Sequence, residues 1–562
     1  MGVVMSISNV IKPSTASINK PAPVSSADKW FFRVCLWAPL AGLLLFFVMP
    51  MATIVWRSLV HDDGSVGLGN YIALWHSHGV WKALFNSLWL GFSTTVITLL
   101  LAFLLAYTIE RTSVVGRRFI SGCLVLPLLA PSLVLGLGLI FLLGRNGLVG
   151  QWLGVRPEIY GYWGLLAANV MYGLPQAVMI LRASLRFGDA RQYEAAEVIG
   201  AGHWRQFFDI TVPGLRYGAL SAAFVVFTLT ITDFGNAVVI GGNYSVLATE
   251  IYSQVFGQMK FGMGATVGLV LLLPAAVSVW IERVAMKRQA GLGAESAIPP
   301  EPIRVPMRDM VLLPASMLVS LILLIVIGTV VYASFMHLWP YKMEFSLRHY
   351  NIKMAGGYSP LWTSILVSIM AAVVGTVLLT ALAISVRKLP PRAARLIALL
   401  SALPVGVPGL VLGLGYVFMF NTAIWPWGAL YGSLFLIAMC NFYHYHTQAY
   451  VTMVSGVRMV PPALEDACAV MGGGAGKVVR DVVLPVVKPT MWAVAVFLFM
   501  RSMVTLSAVI FLVTPSTKIA AVTVMRLDEA GFTSQAAAFS TCIMVVVGMA
   551  SLLFNKLTQS KK

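Results

Sequence analysis

Three groups of residues in this 562-residue chain have types and spacings that could do chemistry. The first is the run Gly472-Gly473-Gly474-Ala475-Gly476-Lys477, whose glycines and lysine suggest a loop that cradles phosphate. Such a nucleotide loop needs G-x-x-x-x-G-K followed by Ser or Thr, because backbone N–H groups hold the phosphates and the hydroxyl ligates magnesium. Here Val478 follows the lysine, Met471 stands where the first glycine belongs, and no strand pattern leads in. The second group is His444 and His446 in "NFYHYHTQAY". Residues two apart on a helix point to different sides, so packed or hydrogen-bonded histidines are expected rather than a metal site. The third is Asp233 and Arg501, ionisable residues inside otherwise apolar segments. Each is costly in lipid and must face protein or water. Two readings follow: a lining role, with Arg501 helping an anionic solute pass and Asp233 balancing it or meeting a solute ammonium, or a buried pair that only fixes packing. No nucleophile–base or metal constellation accompanies them, so neither catalytic residues nor metal ligands are expected in this chain.

The elements that must position these residues are membrane spans. The chain is 59% hydrophobic and only 11% charged, with mean hydropathy +0.84. Soluble domains carry about 25% charged residues. Apolar runs fall near 34–56, 85–109, 119–143, 161–181, 216–240 and 264–282, then near 310–335, 361–386, 396–419, 429–451, 489–513 and 535–555. That predicts an all-α integral membrane protein of about twelve transmembrane helices, each of about 20 residues or more. The net charge of +18 is read as topological, because the basic residues flank the spans rather than interleaving with aromatics; no nucleic-acid partner is expected. Lys12, Lys20, Lys29 and Arg33 precede the first span, Arg111, Arg117 and Arg118 follow the second, and Arg387, Lys388, Arg392 and Arg395 hold the matching place later. By the positive-inside rule both termini are cytoplasmic. Residues 1–33 read as a disordered N-terminal segment and 286–309 as a cytoplasmic linker. The five cysteines lack C-x-x-C spacing and imply neither disulfides nor zinc.

The two sets of runs are copies. "LPLLAPSLVLGLGLIFLL" from Leu126 matches "LPVGVPGLVLGLGYVFMF" from Leu403, so that Pro127, Pro131, Gly136 and Gly138 fall on Pro404, Pro408, Gly413 and Gly415. Six spans on each side of a cytoplasmic linker make the repeats parallel, enclosing a pathway between modules 34–285 and 310–562. The prolines and glycines mark bent or closely packed helices. The segments "ATEIYSQVFGQ" and "VTVMRLDEAGF" are expected to lie along the membrane interface.

The glycine run also has a partner. "YEAAEVIGAGHWRQFFDITVPG" places Glu194, Ala195, Ala196, Gly200 and Pro213 on Asp466, Ala467, Cys468, Gly472 and Pro485. The shared pattern is acidic-A-A-x3-G-x9-[IV]-x-[LV]-P, between the fourth and fifth spans of each set. A short helix should end where Gly200 or Gly472 takes the left-handed conformation, a second should follow, and Pro213 or Pro485 should stop it before the fifth span. The pattern resembles the E-A-A-x3-G-x9-I-x-L-P loop of binding-protein-dependent ABC importer permeases, with Asp466 for Glu and Cys468 for the second Ala as departures. The wording of both halves is similar to fused double permeases for 2-aminoethylphosphonate, with ferric iron close behind and polyamine and sulfate permeases related. This resemblance implies a type I ABC importer permease fold, alternating access, two copies of an ATP-binding subunit that carry ATP and magnesium, and a periplasmic binding protein delivering solute. It implies no cofactor bound by this chain. An ion-gradient-driven secondary transporter is the competing class, since it also uses six-span halves but gives no reason for paired loops.

Overall fold

The computed structural model describes residues 26–61, 63–290, 298–352, 356–424 and 426–559; most of the expected N-terminal segment and residues 291–297 of the expected linker lie outside these. Without water to pair backbone groups, a chain in hydrocarbon must satisfy them within helices. Among the described residues ten helices are long and apolar enough to cross. They are α1 (Trp30–Ser58), α2 (His78–Arg111), α3 (Leu133–Leu153), α4 (Tyr162–Arg186), α5 (His203–Thr232) and α6 (Phe261–Met286) in the first half. The second half has α7 (Pro306–Ser334), α8 (Ser359–Arg387), α11 (Ala475–Val504) and α12 (Thr533–Phe554), with the shorter α9 (Gly409–Phe420) and α10 (Leu434–His444) between. Many buried hydroxyls in the spans bond back to their own helix, as Thr230 does to the Val226 carbonyl and Ser540 to that of Ala536. A small antiparallel hairpin, β1 (Met336–Leu338) and β2 (Lys342–Phe345), follows α7.

The count corrects the expected twelve to ten, or eleven if Pro391–Gly406 and α9, bent by 102°, form one crossing. The cause is proline. Val407 is extended (φ −102°, ψ 119°) ahead of Pro408, as is Ala130 (φ −115°, ψ 147°) ahead of Pro131, because a following ring disfavours helical backbone. The run expected over 429–451 is likewise divided, α10 stopping at Tyr445 before His446–Arg458 begins. This break leaves α10 apolar but too short for a full span.

Each half lends its first helix to the other. On α9, Tyr416 donates to the Phe46 carbonyl of α1 at 2.6 Å and Thr53 donates to the Gly415 carbonyl at 3.2 Å. Reciprocally, α7 lies on α2 and α3: Thr108 and Ser316 share a hydrogen bond at 2.8 Å, and the Trp339 indole donates to the Phe141 carbonyl at 3.2 Å. The repeated glycines make these crossings possible. A Cβ on Gly138 would stand 2.5 Å from the Val326 carbonyl oxygen, and one on Gly415 would stand 2.7 Å from that of Pro50. Close approach of backbones replaces the hydrophobic drive that lipid removes. Gly415→Ala is therefore expected to cost about 1–3 kcal/mol. Gly328→Ala, which adds the same methyl in α7 where nothing lies within 4 Å, should be neutral or slightly stabilising. Equal melting temperatures for the two variants in detergent would refute the crossing argument.

The helices Leu247–Tyr252 and Ala520–Glu529, expected along the membrane interface, are instead largely packed inside the protein; Ala520 to Met525 are all buried.

Candidate functional site: two elbows and a shared cavity

The paired loops fold alike. In the first, Asp189 caps a helix (Ala190–Val198) by accepting from the Arg191 N–H at 3.2 Å; in the second the helix is Pro462–Val470. Each ends at a glycine in the left-handed region, Gly200 and Gly472, both at φ +79°. Any other L-residue there would cost roughly 1–2 kcal/mol. The chain then turns and re-enters a helix at His203 or Ala475.

The prolines do not stop that second helix, contrary to expectation. α5 and α11 run unbroken through Pro213 and Pro485. A π-helical turn, Phe207–Thr211 in one half and Val479–Val483 in the other, immediately precedes the residue before each proline. An i→i+5 turn takes up a residue that cannot donate and whose ring crowds the preceding carbonyls. Each elbow is thereby one rigid piece with its fifth span, a rod of about 45 Å for 30 residues.

On the elbows, Glu194, Ala195, Asp466 and Ala467 are exposed, Ala196 is partly buried and Cys468 is buried. The apolar tips face outward: Val198 is 87% and Ile199 81% exposed, and their repeat partners Val470 and Met471 are 88% and 78% exposed. Trp204 and Phe208 add a stacked, exposed pair to the first elbow only, with ring centroids 6.2 Å apart. Gly476 and Arg480 stand in their places on the second.

Two arginines that sequence reading assigned only to topology prove to hold the elbows. Arg111, last residue of α2, donates to the Leu185 carbonyl at 3.1 Å and to the Tyr193 hydroxyl at 3.3 Å, its guanidinium 5.0 Å from the Tyr193 ring centroid. Arg387, last residue of α8, donates to the Val457 and Val460 carbonyls at 2.9 and 2.8 Å and pairs with Glu465 at 3.0 Å. Lys388 closes on the other oxygen of Glu465 at 2.5 Å. Tyr193 and Glu465 occupy the same repeat position, so one elbow is clamped by a neutral ring and the other by a buried carboxylate. Both arginines end the second span of their half, a shared place that pairs them in the repeat without naming what they hold.

The far ends of α5 and α11 reach a cavity of about 630 Å³ between the halves. α5 breaks at Asp233 (ψ 124°) and α11 at Thr505 (ψ 126°), corresponding positions. The cavity is lined by matched residues from both halves: Tyr172 with His444, Gln176 with Gln448, and Asp233 with Thr505. Asp233 and Arg501 both line it, so the structure brings the two together around one space. Among the described residues they do not form an ion pair within 4.0 Å. Arg501 lies instead over the Tyr445 ring, 5.4 Å from its centroid, and beside the Tyr172 hydroxyl. His444 lines the cavity, while His446 is buried against Tyr443 and Tyr450 with centroids 5.5 and 6.0 Å away. The two histidines thus point apart. Among the described residues no group of three or more His, Cys, Asp or Glu is placed to hold a metal.

Comparison with known proteins places these features. Residues 98–291, which include the first elbow, match the model of the binding-protein-dependent transport system inner membrane component family. The ferric transport system permease protein of Actinobacillus pleuropneumoniae is 25% identical over 535 residues, covering 91% of this chain and 76% of its own. Molybdenum transport system permease proteins are 32% identical over 170 residues in Azotobacter vinelandii, covering 30% of this chain and 75% of the relative, and 30% identical over 221 residues in Haemophilus influenzae, covering 37% and 95%. The chain belongs to the family of binding-protein-dependent transport system inner membrane components.

Proposed function

We propose that this chain forms the membrane pathway of an ATP-driven importer, two repeated modules (34–285 and 310–562) joined by a cytoplasmic linker, with both termini and both elbows in the cytoplasm. Two copies of an ATP-binding subunit seat on the elbows, and a periplasmic binding protein delivers solute at the opposite face. The observation that carries this reading is the unbroken helix that joins each elbow to the cavity. Closure of the ATP-binding subunits moves Gly200 and Gly472 and the segments after them, and the rods carry that motion to Asp233 and Arg501. ATP and magnesium stay on the partner, and this chain's part is mechanical.

For cargo, the relatives that align along most of the chain favour ferric iron over 2-aminoethylphosphonate. Arg501 in the cavity, which has no carboxylate within 4.0 Å among the described residues, keeps an anionic cargo such as the phosphonate as the second reading. Changing Gly200 and Gly472 together to Val forces both elbows out of the left-handed turn. The co-purified ATP-binding subunit should then fall several-fold, and uptake of labelled ferric iron or phosphonate by cells with it. Retention of partner and uptake at wild-type levels would refute the coupling role.

A further inference from the structure

The charges around the cavity are unequal in what they leave free. Asp233, Glu282, Arg283, His444 and Arg501 are its acidic, basic and imidazole lining residues. The Asp233 carboxylate is occupied locally: it accepts from the Asn236 N–H at 3.0 Å and also faces the Ser132 hydroxyl and the Gly235 N–H. Arg283 donates to the Ala402 carbonyl, across the halves, and sits beside Glu282. Of the two arginines only Arg283 has a carboxylate beside it, that of Glu282; among the described residues Arg501 meets only the Tyr172 hydroxyl and the Tyr445 ring. It is also held in place. Tyr445, under the guanidinium, shares a hydrogen bond at 2.9 Å with Thr505, and Thr505 donates to the Arg501 carbonyl at 2.6 Å. Two further lining residues have a buried nitrogen without a partner, Nε2 of Gln176 and Nδ1 of His444. In the first half the position of Arg501 is taken by Leu229, so this arrangement is not duplicated.

We propose that Arg501, Tyr172, Gln176 and His444 form an oxyanion-binding site in the cavity, placed off the pseudo-twofold axis. Cargo crosses there as an anion or an anionic complex. This rests on the permease reading given above. A guanidinium fork and neutral donors match the oxygens of a tetrahedral or carboxylate anion, whereas a bare cation would meet the fixed charge of Arg501, with the lining carboxylates held elsewhere, Asp233 by its local hydrogen bonds and Glu282 beside Arg283. A ferric ion fits only when it carries anionic oxygen ligands. Tyr172 and Gln176 come from the first half, Arg501 and His444 from the second. Separation of the halves by the elbows therefore takes the site apart, which gives release a structural cause.

The test uses the full-length chain co-purified with its ATP-binding subunit in lipid nanodiscs. Molybdate, phosphate, 2-aminoethylphosphonate and ferric citrate are titrated separately, with hexamminecobalt(III) as a compact cation. Binding is read as a rise in melting temperature with ligand concentration. At least one of the anions should stabilise the wild type and hexamminecobalt(III) should not. Arg501→Gln should weaken that anion at least tenfold, Arg501→Lys less, Tyr172→Phe by a few fold, and Asp233→Asn by little. Which anion binds separates the oxyanion sources. The site is refuted if none of the four stabilises, if Arg501→Gln binds like wild type while melting at the same unliganded temperature, or if the cation stabilises and Asp233→Asn abolishes that effect. Absence of the ATP-binding subunit from wild-type preparations would refute the permease reading instead, whatever the anions do.

Discussion

Replacing Val198 and Val470 together by Asp is expected to remove the ATP-binding subunit from the purified complex. These side chains are 87% and 88% exposed, and on each elbow a second apolar residue, Ile199 or Met471, stands beside them. Two loops that each expose such a pair in equivalent positions imply, under the proposed cytoplasmic placement, a partner that covers them. Full burial of a valine stabilises by about 1.5–3 kcal/mol. An aspartate in the same pocket forfeits that and adds the desolvation of a charge. Per elbow the loss is on the order of 3 kcal/mol or more, a hundredfold in affinity. Because the valines touch little within the chain, the variant should keep its wild-type melting temperature, which separates lost docking from lost folding. The single variants should differ. Val470→Asp leaves only Met471 on its tip, whereas Val198→Asp leaves Ile199, Trp204 and Phe208. The second elbow should lose its partner first. Equal subunit stoichiometry in wild type and double variant, measured by gel densitometry, would dispose of the docking surface.

Much of this arrangement was legible in the sequence because the chain states it twice. The periodic recurrence of apolar runs gave the helices, and aligned copies gave the elbows; Gly200 and Gly472 take the conformation that their spacing required. Asp233 and Arg501 stood out because a charge among apolar residues has few places to go, and both reach the cavity. What failed to show was long-range. An arginine at the end of a span carries the same sequence signal whether it faces lipid headgroups, as topology alone would have it, or clamps an elbow as Arg111 and Arg387 do. The acidic residue singled out on the second elbow was Asp466, which is exposed, while its neighbour Glu465 is the buried one. One helical step separates them, and only the position of α8 decides which faces inward. The prolines misled for a related reason. Pro213 and Pro485 lack an N–H, but a π turn ahead of each lets the helix continue, and nothing local distinguishes that outcome from a break. The exchange of α1 and α7 between halves was equally hidden, since glycines such as Gly138 and Gly415 announce close contact without naming the partner.

The clamp on the second elbow should behave differently from that on the first, and the difference is one of charge. Arg387→Met removes a partner from Glu465, which is 7% exposed, together with two hydrogen bonds to the carbonyls of Val457 and Val460. Removing one member of a fully buried pair costs about 3–5 kcal/mol. Lys388, half exposed, remains to neutralise the carboxylate, so about 2 kcal/mol is expected. Arg111→Met strands no charge, because Tyr193 is neutral, and should cost about 1 kcal/mol through lost hydrogen bonds. Arg387→Met should retain the ATP-binding subunit, whose docking tips are untouched, yet uptake should fall several-fold because the elbow no longer moves with its half. Adding Glu465→Met to Arg387→Met should recover most of the lost melting temperature, since an apolar pair of similar volume replaces a stranded carboxylate. It should recover less of the uptake, because the carbonyl bonds that fasten the elbow stay absent. If Arg111→Met and Arg387→Met destabilise equally, or the double variant is no more stable than Arg387→Met, the buried carboxylate is not what fastens the second elbow and its attachment must come from apolar packing at Val479 and Val483.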